Sequence, residues 1–383
     1  MRIVHALQLP LLQQGGVEVL VRTLIDESMG RDEIFLISED SPEDLEKSGW
    51  SSRLAGHLQV PSGLLPRDWG DELLSWVSKQ RIDLCHFHMT GTYAWRAWSW
   101  RSCPITRLAN AGVPVVSTNH QAVTFFDPSR PPSPTWRKWA GTLRFWPGKA
   151  RQLNAVRWEA SVSCHDLEVT RHWFPGFQNK TIQLYHSRLD QATPVQPPRN
   201  SKLILNVATV AFRKGQHHLV EAFSKIAADY PEWRLRIVGT LAETACIERI
   251  QETIKRHRLE DRIELTGPDP EPTRHFEECE IYVQPSLLEG LGLSLQEAMF
   301  HGRACVGARS GGIPELINEP SVGLLYERDR VDELAECLAR LMADDDLRTS
   351  MGTAARTSIL ARGMTRQAMA ENYRSLYQQQ LAR

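Results

Sequence analysis

The sequence predicts an α/β protein made of two doubly wound, Rossmann-like domains. Three observations point there. Short β-branched runs alternate with helix-length stretches, as in βαβ units that build parallel sheets. The alternation breaks at the polar, proline-rich segment QATPVQPPRN, residues 191–200, and then restarts. At 383 residues the chain is also longer than one ordinary core organises. The expected division is therefore 1–190, a linker at 191–200, a second domain at 201–365, and a last helical segment at 366–383.

Each element follows from local pattern. Apolar, β-branched runs predict strands at 3–6, 34–37, 84–87, 113–117, 160–163 and 182–185 in the first half. In the second half they fall at 203–207, 235–238, 263–265, 281–284 and 304–306. Helical periodicity covers about 216–229, 243–257, 291–302, 330–343 and 346–361. In the last segment Met369, Tyr373, Leu376 and Tyr377 recur at helical spacing. The two halves are not sequence repeats of one another.

Bulk properties exclude several classes. The chain is 42% hydrophobic and 24% charged with a net charge of −1, so its overall electrostatics do not favour nucleic acid. Seven scattered Cys, none at zinc-ligand spacing, argue against a disulfide framework and fit a reducing, cytoplasmic setting. The N-terminal MRIVHALQLP lacks an apolar leader core, and no apolar run approaches about 18 residues. Contact with the inner face of a membrane stays open.

The most informative stretch is Ser286 to Gly302, S-L-L-E-G-L-G-L-S-L-Q-E-A-M-F-H-G. It reads as strand, glycine loop, helix. Gly290 and Gly292, with Leu291 and Leu293 beside them, let backbone N–H groups approach a ligand, and the following helix directs its positive end at the same place. Glu289 and Glu297 flank that surface, and carboxylates accept hydrogen bonds from hydroxyls. A nucleotide-sugar fits the set: diphosphate on the loop, sugar at one Glu, ribose at the other. Ser294 and Glu297 also match a capping box, which would make Glu297 a structural residue.

This block closely resembles the E-x7-E signature of retaining glycosyltransferases with the GT-B fold, in particular family 4. The resemblance implies two Rossmann-like domains facing a central cleft, no metal or other cofactor, and a final helix crossing back to the N-terminal domain. It assigns Glu289 to the transferred sugar and Glu297 to the ribose. Further motifs occur in family order. Gly15-Gly16 with Glu18 matches G-G-x-E after the first strand, a loop that faces the donor. Lys214-Gly215 matches the family's K-G, with Lys214 on the diphosphate. Ala208-Thr209 stand where the family has Gly-Arg, so one phosphate-binding cation is missing, and Arg213 is the candidate replacement. Thr118-Asn119-His120 matches T-x-H, and His120 is expected to contact sugar or acceptor near the reaction centre. Gly311-Gly312-Ile313-Pro314-Glu315 matches G-G-x-P-E, which shapes the nucleotide pocket or caps the next helix.

Other features carry less. His86 and His88 resemble the family's D-x-x-H-x-H, but no carboxylate or Cys completes a metal set, so they read as cleft-lining or structural. Asp344-Asp345-Asp346 reads as a solvated turn with a helix cap. The segment from Gln121 to Ala160 is rich in Trp and basic residues. Trp136, Arg137, Lys138, Trp139 and Arg144 are assigned to the acceptor side or to a membrane surface, against the alternative of a helix docked on its own domain. The expected partners are a nucleotide-sugar donor and a glycan, lipid-linked or small-molecule hydroxyl acceptor. A GT-B sugar-nucleotide epimerase and a non-catalytic binding subunit remain as alternatives.

Overall fold

In the computed structural model, residues 1–7, 9–13, 15–61, 65, 68–89, 103–120, 146–190 and 200–382 are described. They divide into two compact units. Residues up to Arg188 join the final stretch from Thr365 in the first, and Leu189–Met364 form the second.

The first unit is a seven-stranded parallel sheet. Its strands are β1 (Arg2–Ala6), β2 (Glu33–Ser38), β3 (Gly56–Gln59), β4 (Leu84–Met89), β5 (Val115–Asn119), β6 (Glu159–Ser161) and β7 (Thr181–Gln183). Their order is β3-β2-β1-β4-β5-β6-β7. Val4, Phe35, Phe87 and Val115 pack with Leu73, Val77 and Leu108 from neighbouring helices. The last helix, Arg366–Leu381, lies against the helix Gly16–Ser28.

The second unit is a six-stranded parallel sheet: β8 (Leu203–Val207), β9 (Arg234–Val238), β10 (Ile263–Gly267), β11 (Ile281–Gln284), β12 (Ala304–Ala308) and β13 (Leu324–Tyr326). The order is β10-β9-β8-β11-β12-β13. Ile204, Ile237, Val283 and Val306 meet Leu219 and Phe223 of the helix Gln216–Ile226 and Leu334 and Leu338 of Val331–Ala343. Strands buried on both faces read as continuous apolar runs, which is why β11 is IYV before its terminal Gln284.

In each sheet the strand order reverses once, between β1 and β4 and between β8 and β11. Ligands of open α/β sheets bind at the carboxyl ends of strands beside such a reversal. The strands β3 and β13 and the short helices Thr273–Glu278 and Ile313–Leu316 go beyond the sequence reading. Among the described residues no helix is long and apolar enough to cross a membrane.

Candidate functional site

The second reversal carries the most concentrated charge. Lys214 ends the 3-10 turn Phe212–Lys214 after β8, and Glu289 lies in the loop after β11. The two strands are hydrogen-bonded neighbours, so residues far apart in sequence meet. Lys214 Nζ donates to Glu289 Oε2 at 2.7 Å. The same oxygen accepts from the Ser286 hydroxyl at 2.9 Å and from Gln284 Nε2 at 3.0 Å. Gln284 is itself held, because its Oε1 accepts from the Tyr282 hydroxyl at 2.6 Å. Three donors thus converge on Oε2, and none of the described residues donates to Oε1.

Burial alone would raise the Glu289 carboxyl. The charge and hydrogen bond of Lys214, then the Ser286 hydroxyl and the Arg213 charge, outweigh it and hold Glu289 below the usual carboxylate range. Glu289 is therefore ionised at neutral pH. Arg213 uses its backbone carbonyl to accept from Leu287 N at 2.9 Å. No described residue bonds its guanidinium.

Glycines make the approach possible. Gly215 (φ +72°) sits against the Pro285 carbonyl, and a Cβ there would lie 1.9 Å from that oxygen. Gly311 (φ +52°) sits against the Glu289 carbonyl, where a Cβ would lie 1.7 Å away. Gly312 N donates to Gly290 O at 3.1 Å, and the Ser310 hydroxyl donates to Leu287 O at 2.9 Å. The G-G-x-P-E segment therefore braces the Glu289 loop from below.

The helix after this loop runs Leu293–Phe300, with Gly292 (φ 97°) as its N-cap. Ser294 lies inside the helix and no side chain caps it, so the capping-box reading of Glu297 is set aside. Glu297 is buried, with Gln296 and Ala298 beside it. After burial, Glu297 and Glu289 are the next causes pushing the Tyr282 hydroxyl upward, so both carboxylates act on one phenol. Leu291 is buried, and Leu293 opens the helix.

In the first unit Gly15 caps, and Gly16 begins, the helix Gly16–Ser28. Glu18 turns back over Gly15, its Oε2 2.1 Å from where a Cβ would be. The chain's own carboxylate thus occupies the positive end of that helix, contrary to an open anion site on this loop. Burial raises the Glu18 carboxyl against the pull of its backbone hydrogen bond and Arg22.

His120 follows β5 and is half-buried. His88 Nδ1 and His120 Nε2 lie 3.1 Å apart, and His88 Nε2 and His5 Nδ1 lie 3.0 Å apart. His86 shares 2.6 Å with the Tyr377 hydroxyl and 2.8 Å with the Thr118 hydroxyl. His5, His86 and His88 form a group, among the described residues, whose nitrogens lie within 4.8 Å of one another, as metal ligands do. In this arrangement both nitrogens of His86 and of His88 already have protein partners. His5, His186, Tyr373 and Tyr377 were not singled out with His120 from sequence; only the periodicity of the last helix hinted at the tyrosines.

Trp136, Arg137, Lys138, Trp139 and Arg144 lie outside the described residues, as do residues 191–199 of the expected linker. Their described neighbours qualify the basic-surface reading. Lys149 is buried and ion-paired to Glu159 at 2.6 Å, so it adds nothing to an exposed cationic face. Trp158 is buried and stacked on Tyr377, whereas Trp146 is exposed. Asp344 caps the helix Asp345–Ala361, its carboxylate accepting from Leu347 N at 2.8 Å.

Comparison with known proteins decides the family. The profile for "Glycosyl transferases group 1" matches residues 188–358, and that for "Glycosyltransferase Family 4" matches residues 14–159. Each profile covers less than half of the chain and the two together cover most of it, which makes the protein family-4-like among glycosyltransferases. Among curated relatives of this glycosyltransferase-family chain is the N-acetyl-alpha-D-glucosaminyl L-malate synthase of Bacillus anthracis. It is 29% identical over 160 residues, 42% of this chain and 41% of that one. A GDP-mannose-dependent monoacylated phosphatidylinositol monomannoside mannosyltransferase of Corynebacterium glutamicum is 26% identical over 239 residues, 56% of this chain and 61% of that one. The first such relatives are matched over less than half of their own length. Solved structures match over nearly the whole chain. The Anabaena protein HepE in complex with UDP has a TM-score of 0.76 at 16% identity, covering 99% of this chain and 100% of that one. TarM has a TM-score of 0.75 at 12% identity, covering 98% and 99%. The fold is GT-B, two Rossmann-like domains.

Proposed function

We propose that the protein is a retaining glycosyltransferase that moves a sugar from a nucleotide-diphosphate sugar to a hydroxyl acceptor, in the synthesis of a glycan, polysaccharide or glycolipid. The observation that carries the reading is the ionised Glu289 clasped by Lys214 beside the β8–β11 reversal, with Arg213 alongside. An anion and two cations at one strand-end crevice suit a donor that separates charge as it reacts.

In this reading the diphosphate lies on the N–H groups of Gly290 to Leu293 and on the start of the following helix. The bond from the anomeric carbon to the phosphate oxygen breaks, and the electron pair leaves with the diphosphate. Lys214 and Arg213 stabilise that developing charge. The acceptor hydroxyl attacks from the same face and gives its proton to the departing phosphate oxygen. Glu289 hydrogen-bonds the sugar and offsets positive charge at the anomeric carbon, while Glu297 binds the ribose. His120 orients a substrate hydroxyl. The positive charge comes from side chains, so no metal or other cofactor is required. Relatives named for sugar transfer to L-malate and to phosphatidylinositol mannoside support a hydroxyl acceptor.

The test has two stages. A thermal-shift screen over nucleotide-sugars identifies the donor, since a ligand that binds only the folded state raises the melting temperature. Transfer from that donor is then followed over an acceptor panel, and the product's anomeric configuration is read by NMR. Retention is expected. An inverted product refutes the retaining mechanism. Donor stabilisation without transfer to any acceptor favours a binding subunit. Conversion of the donor alone, with no nucleoside diphosphate released, favours an epimerase.

A further inference from the structure

The strongest unassigned feature is the histidine cluster of the first unit. His5 on β1 pairs in register with His86 on β4, and His88, two residues on, faces the same way. The rings pack closely, with centroids 4.0 Å apart for His86 and His88 and 5.3 Å for His88 and His120. Two hydrogen-bonded paths run through them. One joins His86 to Tyr377 and, through Thr118, to Tyr373, which reaches His186 Nε2 at 2.7 Å. The other is a series of three imidazoles, His5–His88–His120.

We propose that this series fixes His120 as a hydrogen-bond acceptor at Nδ1, so that it recognises a substrate hydroxyl through that hydroxyl's proton. The inference rests on the reading that His120 meets substrate. It follows from proton counting. A neutral imidazole carries one N–H and one bare nitrogen. Desolvation by burial, reinforced by neighbouring histidines, keeps His88 and His120 uncharged at neutral pH, and burial alone does so for His5. Three neutral rings linked by two hydrogen bonds must all donate in the same direction. Reversing one ring opposes two N–H groups or two lone pairs. The choice made at one end is therefore read at the other.

The far end decides the direction. His5 lines a cavity of about 10 Å³ together with Ser28, Asp32 and Arg374. That is the lower limit for one water. Ser28 already donates its proton to Leu24 O at 2.7 Å and so offers only lone pairs. Asp32 is an almost fully buried carboxylate facing the Met1 ammonium at 2.9 Å and Arg374 Nε at 3.2 Å, and its lone-pair sites outnumber those two donors. The Tyr373 and Tyr377 hydroxyls, which also line the cavity, are engaged by Thr118, His186 and His86. A cavity supplied with these acceptors favours a proton on His5 Nε2. His5 Nδ1 then accepts from His88 Nε2–H, His88 Nδ1 accepts from His120 Nε2–H, and His120 Nδ1 is left bare. His5 and His88 are positioning residues: they set which nitrogen His120 presents.

The experiment uses the full chain with ¹⁵N-labelled imidazoles and long-range proton–nitrogen correlation at pH 7. Assignments come from single His replacements. The expected spectrum has the proton on Nε2 for His5, His88 and His120. A proton on Nδ1 of His120 overturns the inference, whatever the transfer assay gives. In His5→Phe, judged folded by its circular dichroism, His120 should become a mixture of both tautomers. An unchanged, single Nε2–H tautomer there overturns the coupling. The wild-type spectrum is decisive alone if His5→Phe does not fold. A chain that transfers no sugar defeats the proposed function but leaves the tautomer measurement standing, so the two failures are distinguishable.

Discussion

Lowering the pH from 7 to 5 should weaken the first unit about twice as much as the second. His5, His86, His88 and His186 are almost fully buried there. Burial lowers His5 to about 4 and His186 to about 3, and drives His86 and His88 well below the ordinary histidine value. In the unfolded chain each returns to about 6.5. Between those values the unfolded state binds more protons, so stability falls as pH falls from 6.5 and levels off below the folded pKa. At pH 5 the gap from 6.5 is about 1.5 units, or about 2 kcal/mol per histidine at roughly 1.36 kcal/mol per unit. Four such groups sum to at most about 8 kcal/mol, against a total of roughly 5–15 kcal/mol for a domain. In the second unit His217 and His301, lowered to about 3 and about 4, give about half as much by the same rule. Urea unfolding at pH 7, 6 and 5 checks this. Tryptophan fluorescence reports the first unit, because Trp233 alone of twelve Trp lies within residues 189–364. Hydrogen exchange of the β11 peptide reports the second. A tryptophan midpoint that is the same at pH 7 and pH 5, or earlier loss of β11 protection, would refute the reasoning.

Four further outcomes are expected. Glu289→Gln should cut turnover far more than donor affinity, and Glu297→Ala should chiefly raise the donor Michaelis constant; wild-type kinetics in both would move the site elsewhere. Lys214→Ala should lose about 2–4 kcal/mol of transition-state stabilisation, and Arg213→Ala a measurable part of that; an unaffected Arg213→Ala rate ends the case for a replacement cation, and activity that a chelator abolishes ends the metal-free reading. Gly311→Ala should cost roughly 1–3 kcal/mol for its backbone conformation alone, more with the contact to the Glu289 carbonyl, and should lower activity with it; a melting temperature and rate like wild type would show that the brace is unimportant. Replacing Arg137, Lys138 and Arg144 by Glu should spare donor binding and impair acceptor use or co-sedimentation with anionic liposomes; wild type that never pellets at low salt removes the membrane component.

The fold was legible where a strand is buried on both faces. β8 and β11 fall where their apolar runs predict, because LIL and IYV are short apolar runs of the kind that a strand buried on both faces uses. β3 and β13 were not legible. GHLQ holds no β-branched residue, and LLY is three residues long at a sheet edge; each becomes a strand by pairing with a stronger neighbour. The end of the helix predicted at 291–302 was overstated at both sides, since Gly292 takes a left-handed conformation and can only cap it.

The candidate site divides along the same line. Glu289, Lys214 and the glycines are visible because each is an odd residue at the end of a strand, where periodicity has no use for it. What sequence could not show is that Lys214 and Glu289, 75 residues apart, are partners. That fact belongs to the β8–β11 pairing and to two glycines that let one loop lie on another's carbonyl. Gln284 was within reach: a polar side chain closing the run IYV is costly to bury unless something beyond the strand requires it, and that something is Glu289. The histidine series fails the same test from the other direction. His5 and His88 come from two strands and His120 from the residue after a third, and no one of them alone signals a series. Only their order in space, with acceptors at one end, makes the state of the last a consequence of the first. The charged residues of a site can be guessed from a motif; a direction of hydrogen bonds requires the whole chain of partners.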